Sequence, residues 1–452
     1  MNTQKYSPLT DRLPEHIIAF RSDGAINVGQ FLQAAKRLSE QLPAHKYVFN
    51  LFADRFHFLL GFCASVIAGQ CTLLPPNRLA RTLEQLSVDY PDSYTLEDPD
   101  SLCGELFAPG ALDESAGAGN GVIPEIPENQ LCAIAFTSGS TGKAKPNLKY
   151  WGTLRTGSMN NAGFLLKDID RQISLLATVP PQHMWGFEAS ILLPLFGGAA
   201  VSHLTPFFPQ DIVESLESLP EPRGLISSPV HLNVLLKSGV HPPKLERIYC
   251  ATAPLEKSLA LELEQRFKTR VVEVFGSSET GMLAFRQPSH ENSWQLSGLF
   301  ELDIQEGGVL VRGQHLPEQV LLQDVIEKTG ENRFNLLGRH QDMLNIAGKR
   351  GSLTDLNRRL LAIPGVEDGV IFMPKGDTER LAALVVAPEL EPSDIVGALR
   401  LEIDTVFLPR PVYMVSELPR QETGKMANED LLNLYMEIVQ MKKSVKRDCN
   451  PG

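Results

Sequence analysis

The sequence predicts an α/β protein: a large N-terminal domain of helix-covered sheets and a small α+β domain after it. Helix-like and strand-like segments alternate along most of the 452 residues, which is typical of parallel sheets joined by helical crossovers. Near the C-terminal end the order changes to helix, strand, strand, helix. We place the two domains at residues 1–338 and 339–452.

The alternation begins early in the chain. Residues 28–42 (VGQFLQAAKRLSEQL) carry apolar residues at helical spacing, and 46–52 (KYVFNLF) is strand-like. The apolar stretch from Phe56 is long enough to resemble a membrane span, but its polar residues and glycine indicate a buried helix followed by a short buried strand. From residue 92 to residue 130 the periodicity is lost, so we predict a surface loop there.

Two later strands are predicted to end in small residues. The segments ERIYCATAPL (246–255) and TRVVEVFGSSETG (269–281) enclose a predicted helix at 256–267. Ligands of such sheets bind at the carboxyl ends of the strands. The small domain follows from LTDLNRRLLAIPGVEDGVIFMP, RLAALVVAP and DIVGALRLEI.

Composition excludes several classes of protein. The 43 % hydrophobic and 21 % charged content is ordinary for a globular chain. A formal net charge of -12 argues against a general nucleic-acid binder, although nucleotides remain possible ligands. The N-terminus lacks the basic start and apolar core of a signal peptide, so we expect a cytoplasmic protein that is not integral to a membrane. The cysteines form no CxxC pair, which favours reduced, buried thiols at Cys63, Cys71, Cys103, Cys132, Cys250 and Cys449.

The segment AIAFTSGSTGKAKP (133–146) indicates an anion site. Its apolar run is followed by glycines that let backbone N–H groups turn inward, and Lys145 adds a mobile charge. The neutral donors are the hydroxyls of Thr137, Ser138, Ser140 and Thr141, and the glycines are Gly139 and Gly142. A Walker A loop does not fit, because Ala144 follows Gly142-Lys143. The concavity suits a polyphosphate; a flexible surface loop is the alternative.

The same segment resembles the phosphate-binding signature of the adenylate-forming enzymes, which include acyl-CoA synthetases, peptide-synthetase adenylation domains and luciferases. Other segments resemble the remaining motifs of this superfamily in the same order: PPQHMWGFEASILLPLFGGAAV, CATAPL, VFGSSETG, GGVLVRG, LLQDVIE, LGRHQDMLNIAGKR and LPRQETGKM. The resemblance covers nearly the whole chain. It implies the adenylate-forming fold, with a mobile C-terminal domain joined by a hinge.

The resemblance also implies a reaction. A carboxylate attacks the α-phosphate of ATP to give an acyl-adenylate and pyrophosphate, and a thiol then displaces AMP. The implied nucleotide-binding residues are Thr137, Ser138, Gly139, Ser140, Thr141, Gly142, Lys145, Thr252, Ala253, Pro254, Phe275, Gly276, Ser277, Ser278, Asp324 and Arg339. Among these, Asp324 would accept the ribose hydroxyls and Phe275 would face the adenine. Glu279 and Thr141 would bind Mg²⁺, which prefers oxygen ligands.

Three further positions follow from the resemblance. Lys425 matches the lysine that bridges the carboxylate and the α-phosphate, and His183 matches the gate between acyl pocket and thiol channel. A solvated lysine and a structural histidine are the alternatives. The hinge position falls on Gln341, where the family usually has Asp or Lys. The sequence also departs from the family at Ala144, Pro146 and Thr252, the last replacing a common glycine.

The acid and the acceptor are predicted only as classes. The compact chain resembles members that load aryl or short acyl groups, so we expect an aromatic or medium-chain acid. The acceptor is expected to be a phosphopantetheine thiol, on an acyl carrier protein or on CoA. Both acceptors are anionic and would suit basic pairs in the small domain, although a solvated helix and tail would explain these pairs equally well. The pairs are Lys349-Arg350, Arg358-Arg359, Lys442-Lys443 and Lys446-Arg447.

Two other classes of function compete with this one. A catalytically silent nucleotide-binding homologue could act as an interaction protein, but Lys145, Glu279, Asp324 and Lys425 are all present. A phosphotransferase or NTPase could use the glycine loop, but the Walker A mismatch argues against it. Its products would be ADP and phosphate.

Overall fold

The computed structural model describes residues 4–97, 122–138, 144–339, 343–346, 349–374, 380–420, 426 and 428–448. The chain folds as two compact units. The first comprises Met1–Glu301 and Val311–Val320, and the second comprises Leu302–Leu310 and Leu321–Gly452. The chain therefore passes from one unit to the other between residues 301 and 321. The domain limits at 338 and 339 stay a prediction.

The helices of the described residues are distributed over both units. In chain order they are α1 (Val28–Ser39), α2 (Arg55–Ile67), α3 (Ala80–Asp89), α4 (Trp151–Leu165), α5 (Met184–Phe187), α6 (Leu193–Phe196), α7 (Pro209–Glu217), α8 (Pro229–Lys237), α9 (Lys257–Phe267), α10 (Leu353–Leu361), α11 (Pro392–Glu402) and α12 (Asn428–Asp448). A π-helical turn, Glu188–Leu192, joins α5 to α6.

The strands, also in chain order, are β1 (Tyr6–Pro8), β2 (Ile17–Arg21), β3 (Gly24–Asn27), β4 (Tyr47–Asn50), β5 (Cys71–Leu74), β6 (Ser93–Leu96), β7 (Glu125–Pro127), β8 (Leu131–Ser138), β9 (Ala144–Tyr150), β10 (Ser174–Ala177), β11 (Ala200–Ser202), β12 (Arg223–Ser227), β13 (Arg247–Cys250), β14 (Arg270–Ser277), β15 (Gly281–Arg286), β16 (Trp294–Leu296), β17 (Phe300–Gln305), β18 (Gly308–Gly313), β19 (Val320–Leu322), β20 (Asp324–Gly330), β21 (Arg333–Arg339), β22 (Met343–Ile346), β23 (Lys349–Ser352), β24 (Asp368–Phe372), β25 (Ala382–Val386) and β26 (Val412–Met414).

The largest sheet of the first unit has a parallel centre. Its order runs β16, β15, β14, β13, β12, β10, β11, β2, β3. The strands from β14 to β2 in that order are parallel neighbours, whereas β15 and β3 are antiparallel to theirs. The carboxyl ends of β10, β12, β13 and β14 therefore lie along one edge of the sheet. Strands and helices of this region confirm the predicted alternation.

A second sheet in the same unit has the order β6, β4, β5, β8, β9. The strands β4, β5, β6 and β8 are parallel, and β9 returns antiparallel to β8. Between β4 and β5, helix α2 is buried almost all round, which confirms the predicted buried helix. Among the described residues, none of the helices has the length and apolar character needed to cross a membrane.

Aromatic side chains fill the main core of the first unit. Phe31, Phe62, Trp151 and Phe187 come from α1, α2, α4 and α5, and all are fully buried. The rings of Phe62 and Phe187 meet edge to face at 5.0 Å between centroids, a favourable aromatic geometry. The core thus packs α5 and the π-helical turn firmly against neighbouring helices. A separate apolar cluster packs α7, α8 and α9 on the parallel sheet.

The second unit confirms the predicted order of helix, strand, strand, helix. Helix α10 is followed by β24 and β25, which pair antiparallel, and then by α11. Their shared core begins at Leu344 and continues to Leu408. Ahead of it, β20 and β21 form an antiparallel hairpin in which Asp324 is the partner of Arg339.

Two features differ from the sequence interpretation or complete it. Strands β6 and β7 both lie within the segment from residue 92 to residue 130, so the predicted loop is wrong at these two places. β6 pairs in parallel with β4, and β7 pairs with β1. Strands of four and three residues are too short to show a readable alternation. Cys63, Cys71, Cys132 and Cys250 are buried free thiols, as predicted. Cys103 and Cys449 lie outside the described residues.

Candidate active site

The carboxyl ends of β12, β13 and β14 define one edge of the parallel sheet. The chain leaves β13 at Ala251 and continues through the predicted adenine-binding residues Thr252, Ala253 and Pro254. Ala253 and Pro254 are exposed. Thr252 has a φ of 86°, in the left-handed region that a β-branched residue rarely adopts. This value explains why a glycine is common at that position in the family it resembles.

Phe275 lies at the end of β14, half-buried. Its ring is 5.6 Å from that of Trp294, and the Arg286 guanidinium lies over Trp294 at 4.5 Å. Arg286 also pairs with the buried carboxylate of Glu273 at 2.6 Å. That carboxylate accepts the N–H of Leu255 at 2.8 Å, so this hydrogen bond ties β14 to the residue that follows the Thr252–Pro254 segment.

Glu279 lies in a tight turn between β14 and β15. Ser277 pairs with Gly281, which leaves three residues in the turn, and Ser277 Oγ accepts the N–H of Thr280 at 3.1 Å. Gly281, which follows the turn, has a φ of 73°, in the left-handed region that favours glycine. At Gly276 a Cβ atom would lie 2.3 Å from the carbonyl oxygen of Gly281. Only glycine lets the two strands approach this closely.

The predicted phosphate segment spans the β8–β9 hairpin. Thr137 is the partner of Lys145 and Ser138 is the partner of Ala144 in the register. Lys145 is largely exposed, and its Nζ lies 4.0 Å from a carboxylate oxygen of Glu279. The structure therefore brings together two of the predicted site residues, one from each sheet. Gly139, Ser140, Thr141 and Gly142 lie outside the described residues.

Beneath the Glu279 turn lie two buried charged side chains. Lys149 of β9 is 4 % exposed, while the preceding Leu148 is 43 % exposed, so β9 turns its lysine inward and its leucine outward. The Lys149 ammonium donates to the Glu279 carbonyl oxygen at 3.1 Å. Glu188, the first residue of the π-helical turn, accepts the N–H of Met282 at 3.3 Å.

Burial shifts the pKa values of Glu188, Lys149 and His315. Desolvation raises the pKa of Glu188 to about 7, although the Lys149 charge and the Met282 N–H lower it in part. Desolvation likewise lowers the pKa of Lys149, against the attraction of the Glu188 and Glu279 carboxylates. His315 has its pKa lowered to about 4 by burial and by Lys149. The imidazole is therefore neutral at pH 7.

His183 forms the N-cap residue of α5 and is half-buried. Its carbonyl oxygen accepts the N–H of Phe187 at 2.8 Å. Two residues later, Trp185 is buried and its indole N–H donates to the Ser227 carbonyl oxygen at 3.1 Å, at the end of β12. The helix that carries His183 is thus anchored to the carboxyl edge of the parallel sheet. Interruptions of α-helices by π turns occur often at functional sites.

The second unit holds the remaining described residues of the predicted set. Asp324 begins β20 and is buried, and Arg339 ends β21 as its backbone partner. The hairpin therefore places these two predicted ribose contacts side by side in the backbone register. Gln341 and Lys425 lie outside the described residues, so their roles stay predictions.

A divalent cation at Glu279 would need other ligands. Within the described part of the chain, no group of three or more His, Cys, Asp or Glu could hold a metal ion by itself. The Glu279 side chain is 26 % exposed and close to the hairpin of Lys145. A single accessible carboxylate fits Mg²⁺, which usually keeps several waters and is bound through one or two carboxylates plus substrate phosphates.

Sequence reasoning missed Lys149 and Glu188. Lys149 lies between Leu148 and Tyr150 in NLKYW, so the alternation of a half-buried strand predicts that the lysine faces solvent. Glu188 had a visible signal, because it is the only charged residue in the apolar stretch MWGFEASILLPLF. A charged residue in such a stretch is seldom fully buried unless it is paired.

Comparison with known proteins identifies the family. The family model for the AMP-binding enzyme matches residues 62–299, more than half of the chain. The protein belongs to this family. It is 28 % identical over 307 residues to a 4-coumarate–CoA ligase of Rhodobacter capsulatus. The matched region covers 66 % of this chain and 75 % of the relative. The chain is 20 % identical over 309 residues to a 3,4-dihydroxybenzoate–[aryl-carrier protein] ligase of Bacillus anthracis, covering 66 % and 72 %.

Solved structures share the fold. ATP-bound MatB from Rhodopseudomonas palustris has a TM-score of 0.78 at 19 % identity and covers 95 % of this chain and 98 % of that one. The O-succinylbenzoate coenzyme A synthetase MenE of Bacillus subtilis, in complex with AMP, has a TM-score of 0.78 at 17 % identity, covering 94 % and 98 %. These matches confirm the predicted adenylate-forming fold.

The close approach at Gly276 gives a stability test. We expect Gly276→Ala to lower the free energy of unfolding by about 1–3 kcal/mol, because the new methyl group must displace backbone. Gly157→Ala is the matched control, since it lies in α4 with nothing within 4 Å of the added Cβ. It should raise stability by about 0.5–1 kcal/mol. Urea denaturation measures both, and equal effects would contradict the geometry.

The Glu188 pKa gives a test of pH dependence. Because the folded-state pKa is about 7, above the ordinary carboxyl value of 4.5, the stability that Glu188 contributes is fully present below pH 4.5 and is lost as pH rises to 7. We expect the difference in unfolding free energy, wild type minus Glu188→Gln, to fall by about 1 kcal/mol per pH unit in that window. A difference that stays constant across this window for Glu188→Gln would refute the assignment.

Proposed function

We propose that this protein uses ATP to activate a carboxylic acid as an acyl-adenylate and then transfers the acyl group to a thiol. The observation that carries the proposal is the position of Lys145 beside Glu279. The two belong to the segments that the family uses for phosphate and for metal, and they meet across two sheets of one compact unit. Membership of the AMP-binding family supports the same chemistry.

In the first half-reaction, a carboxylate oxygen of the acid attacks the α-phosphorus of ATP and pyrophosphate leaves. Negative charge develops on the phosphates, so catalysis depends on positioned cations and hydrogen-bond donors. The β8–β9 hairpin supplies these groups: Thr137 to Gly142 cradle the β- and γ-phosphates, and Lys145 adds its charge. The large exposed fraction of Lys145 leaves the ammonium able to reach a phosphate oxygen.

Glu279 is the protein ligand that would hold Mg²⁺, with Thr141 as a second oxygen donor. The cation would neutralise charge on the phosphates of the bound nucleotide. The adenine lies against Phe275 and the backbone of Thr252 to Pro254, at the carboxyl edge of the parallel sheet. Asp324 accepts the ribose hydroxyls, and Arg339 reaches the ribose or phosphates.

Lys425 bridges the attacking carboxylate and the α-phosphate. In the second half-reaction the thiol sulfur attacks the acyl carbon, AMP leaves, and His183 gates the passage between acid and thiol. Rotation of the small domain about Gln341 changes the site from the arrangement for adenylation to the arrangement for thiol transfer. A neutral amide at this hinge provides hydrogen bonds without the charge of the usual Asp or Lys.

The acid is aromatic or medium-chain. Support for an aromatic acid comes from relatives whose names specify one, among them a 4-chlorobenzoate–CoA ligase of Arthrobacter that is 23 % identical over 354 residues, covering 66 % of this chain and 65 % of that protein. The acceptor is a phosphopantetheine thiol of CoA or of an acyl carrier protein. Relatives named for each acceptor are similar to this chain.

Three residues of the basic pairs in the small domain have acidic partners. Arg359 pairs with Asp355 at 2.9 Å and with Glu402 at 3.1 Å, Arg358 pairs with the same aspartate, and Lys349 pairs with Asp404. These carboxylates offset part of the positive charge that Lys349, Arg358 and Arg359 would offer to an anionic acceptor.

The test of the proposed function is pyrophosphate exchange into ATP, measured with hydroxybenzoates, cinnamates and fatty acids of graded length. Exchange is expected with one group of acids. Lys425→Ala should reduce it by about 10²–10³, the scale of losing one preorganised charge or donor. Lys36→Ala removes an exposed lysine of α1 and should leave exchange unchanged.

Other outcomes would replace the proposal. ATP binding without exchange for any acid would favour a catalytically silent homologue. Release of ADP and phosphate would indicate an NTPase. Exchange that survives in Lys425→Ala would remove that lysine from the mechanism while leaving adenylation in place.

A further inference from the structure

Three side chains converge on the Glu279 turn from below, and we name Lys149, Asn161 and Glu188 the turn cluster. Lys149 comes from β9, Asn161 from α4 and Glu188 from the π-helical turn. The Lys149 ammonium donates to the Glu279 carbonyl oxygen at 3.1 Å. Asn161 Nδ2 donates to Glu188 Oε1 at 3.5 Å. Every member is nearly or fully buried.

The cluster holds both ends of the turn. Lys149 binds the carbonyl of Glu279 itself, and Glu188 binds the N–H of Met282, three residues later. The Glu188 carboxylate also packs under Gly281, where its Oε1 would lie 2.5 Å from an added Cβ. The backbone on both sides of Thr280 is therefore fixed by side chains from two other elements.

The same contacts direct the Glu279 side chain. Its carbonyl oxygen faces the buried Lys149, while its carboxylate is partly exposed and lies 4.0 Å from Lys145 Nζ. If the Glu279 turn rotated, the hydrogen bond between the Lys149 ammonium and the Glu279 carbonyl oxygen would break. Groups that orient a metal ligand through its neighbours commonly change metal affinity by about 10–100-fold when they are removed.

Stability alone gives a weak reason for a buried lysine and glutamate at this place. Well-packed apolar residues of similar volume often stabilise a fold as well as a buried ion pair does, or better. Lys149 is buried although its neighbour Leu148 in the same strand is exposed. Burying the ammonium costs free energy unless its charge makes a compensating interaction. The Lys149 charge orients the turn, because the ammonium donates a hydrogen bond to the Glu279 carbonyl oxygen and an apolar side chain could not.

We propose that Lys149 and Glu188 are positioning residues that fix the Glu279 turn, so that its carboxylate meets the magnesium ion carried by the phosphates of ATP. This inference rests on the proposed function, because it needs the nucleotide and its cation at Glu279. Lys149 and Glu188 themselves touch neither group. Their effect passes through the backbone of the turn.

The test measures ATP affinity of the full-length protein with Mg²⁺ and with EDTA, by equilibrium dialysis, and uses the ratio of the two dissociation constants. We expect Lys149→Met and Glu188→Met each to reduce this ratio by about tenfold. Glu279→Gln should reduce it at least as much. Lys149→Met in the Glu279→Gln background should cause no further reduction, since two residues that act through one carboxylate are not additive.

Glu264→Gln is the matched control. Glu264 of α9 is also a carboxylate that accepts a backbone N–H, that of Val271 at 2.8 Å, but Val271 lies at the amino end of β14, whereas the Glu279 turn follows its carboxyl end. The ratio should stay unchanged in this variant. Circular dichroism confirms folding of each variant, and Glu188→Met, which keeps the side-chain length but removes the acceptor oxygens, decides the test if Lys149→Met does not fold.

The outcomes separate this inference from the proposed function. If Mg²⁺ does not tighten ATP binding to the wild-type protein, the metal site of the proposed function is wrong and the inference falls with it. If the wild type shows the ratio and both variants retain it, the inference alone is overturned. A reduction that is additive with Glu279→Gln would also overturn it, because the cluster would then act elsewhere.

Discussion

The hydrogen bond from Lys149 to the Glu279 carbonyl is the interaction on which the arrangement of the site depends. It joins β9, the second strand of the β8–β9 hairpin, to the turn after β14, and the two strands belong to different sheets. Each sheet alone would present only part of the proposed nucleotide site. Because the bond ends on backbone, it places the whole Glu279 turn relative to β9, and with it the carboxylate beside Lys145.

The parallel direction of the central strands supplies the other half of the geometry. Strands β12, β13 and β14 are adjacent and parallel, so the segments that follow them emerge at one edge. Gly276 allows β14 and β15 to approach closely there, and the π-helical turn brings Glu188 under the same edge. The close packing of β14 on β15, the common direction of the parallel strands and the buried Glu188 therefore all act at the same edge of the sheet.

Long periodic elements and the motif segments were predictable from the sequence. Helix α2, the β13–α9–β14 succession and the order of the small domain all follow from apolar spacing, since each buries one continuous face. The pairings of β6 with β4 and of β7 with β1 could not be predicted, because strands of four and three residues are too short to show a period. The burial of Lys149 and Glu188 could not be predicted either: it depends on which strand and which helical turn face the Glu279 turn, and that is decided only by tertiary packing.

Thr252 shows how the site combines such constraints with strain. Its φ of 86° is a conformation that costs a non-glycine residue on the order of 1–3 kcal/mol and persists only where the surroundings over-determine it. The surroundings do so here: β13 is a fully buried central strand on one side, and on the other Leu255 is held by the buried Glu273. The chain between them must turn sharply at the sheet edge, and it exposes Ala253 and Pro254. The strain is therefore the consequence of a sharp turn between two fixed points at the edge where the proposed adenine site lies.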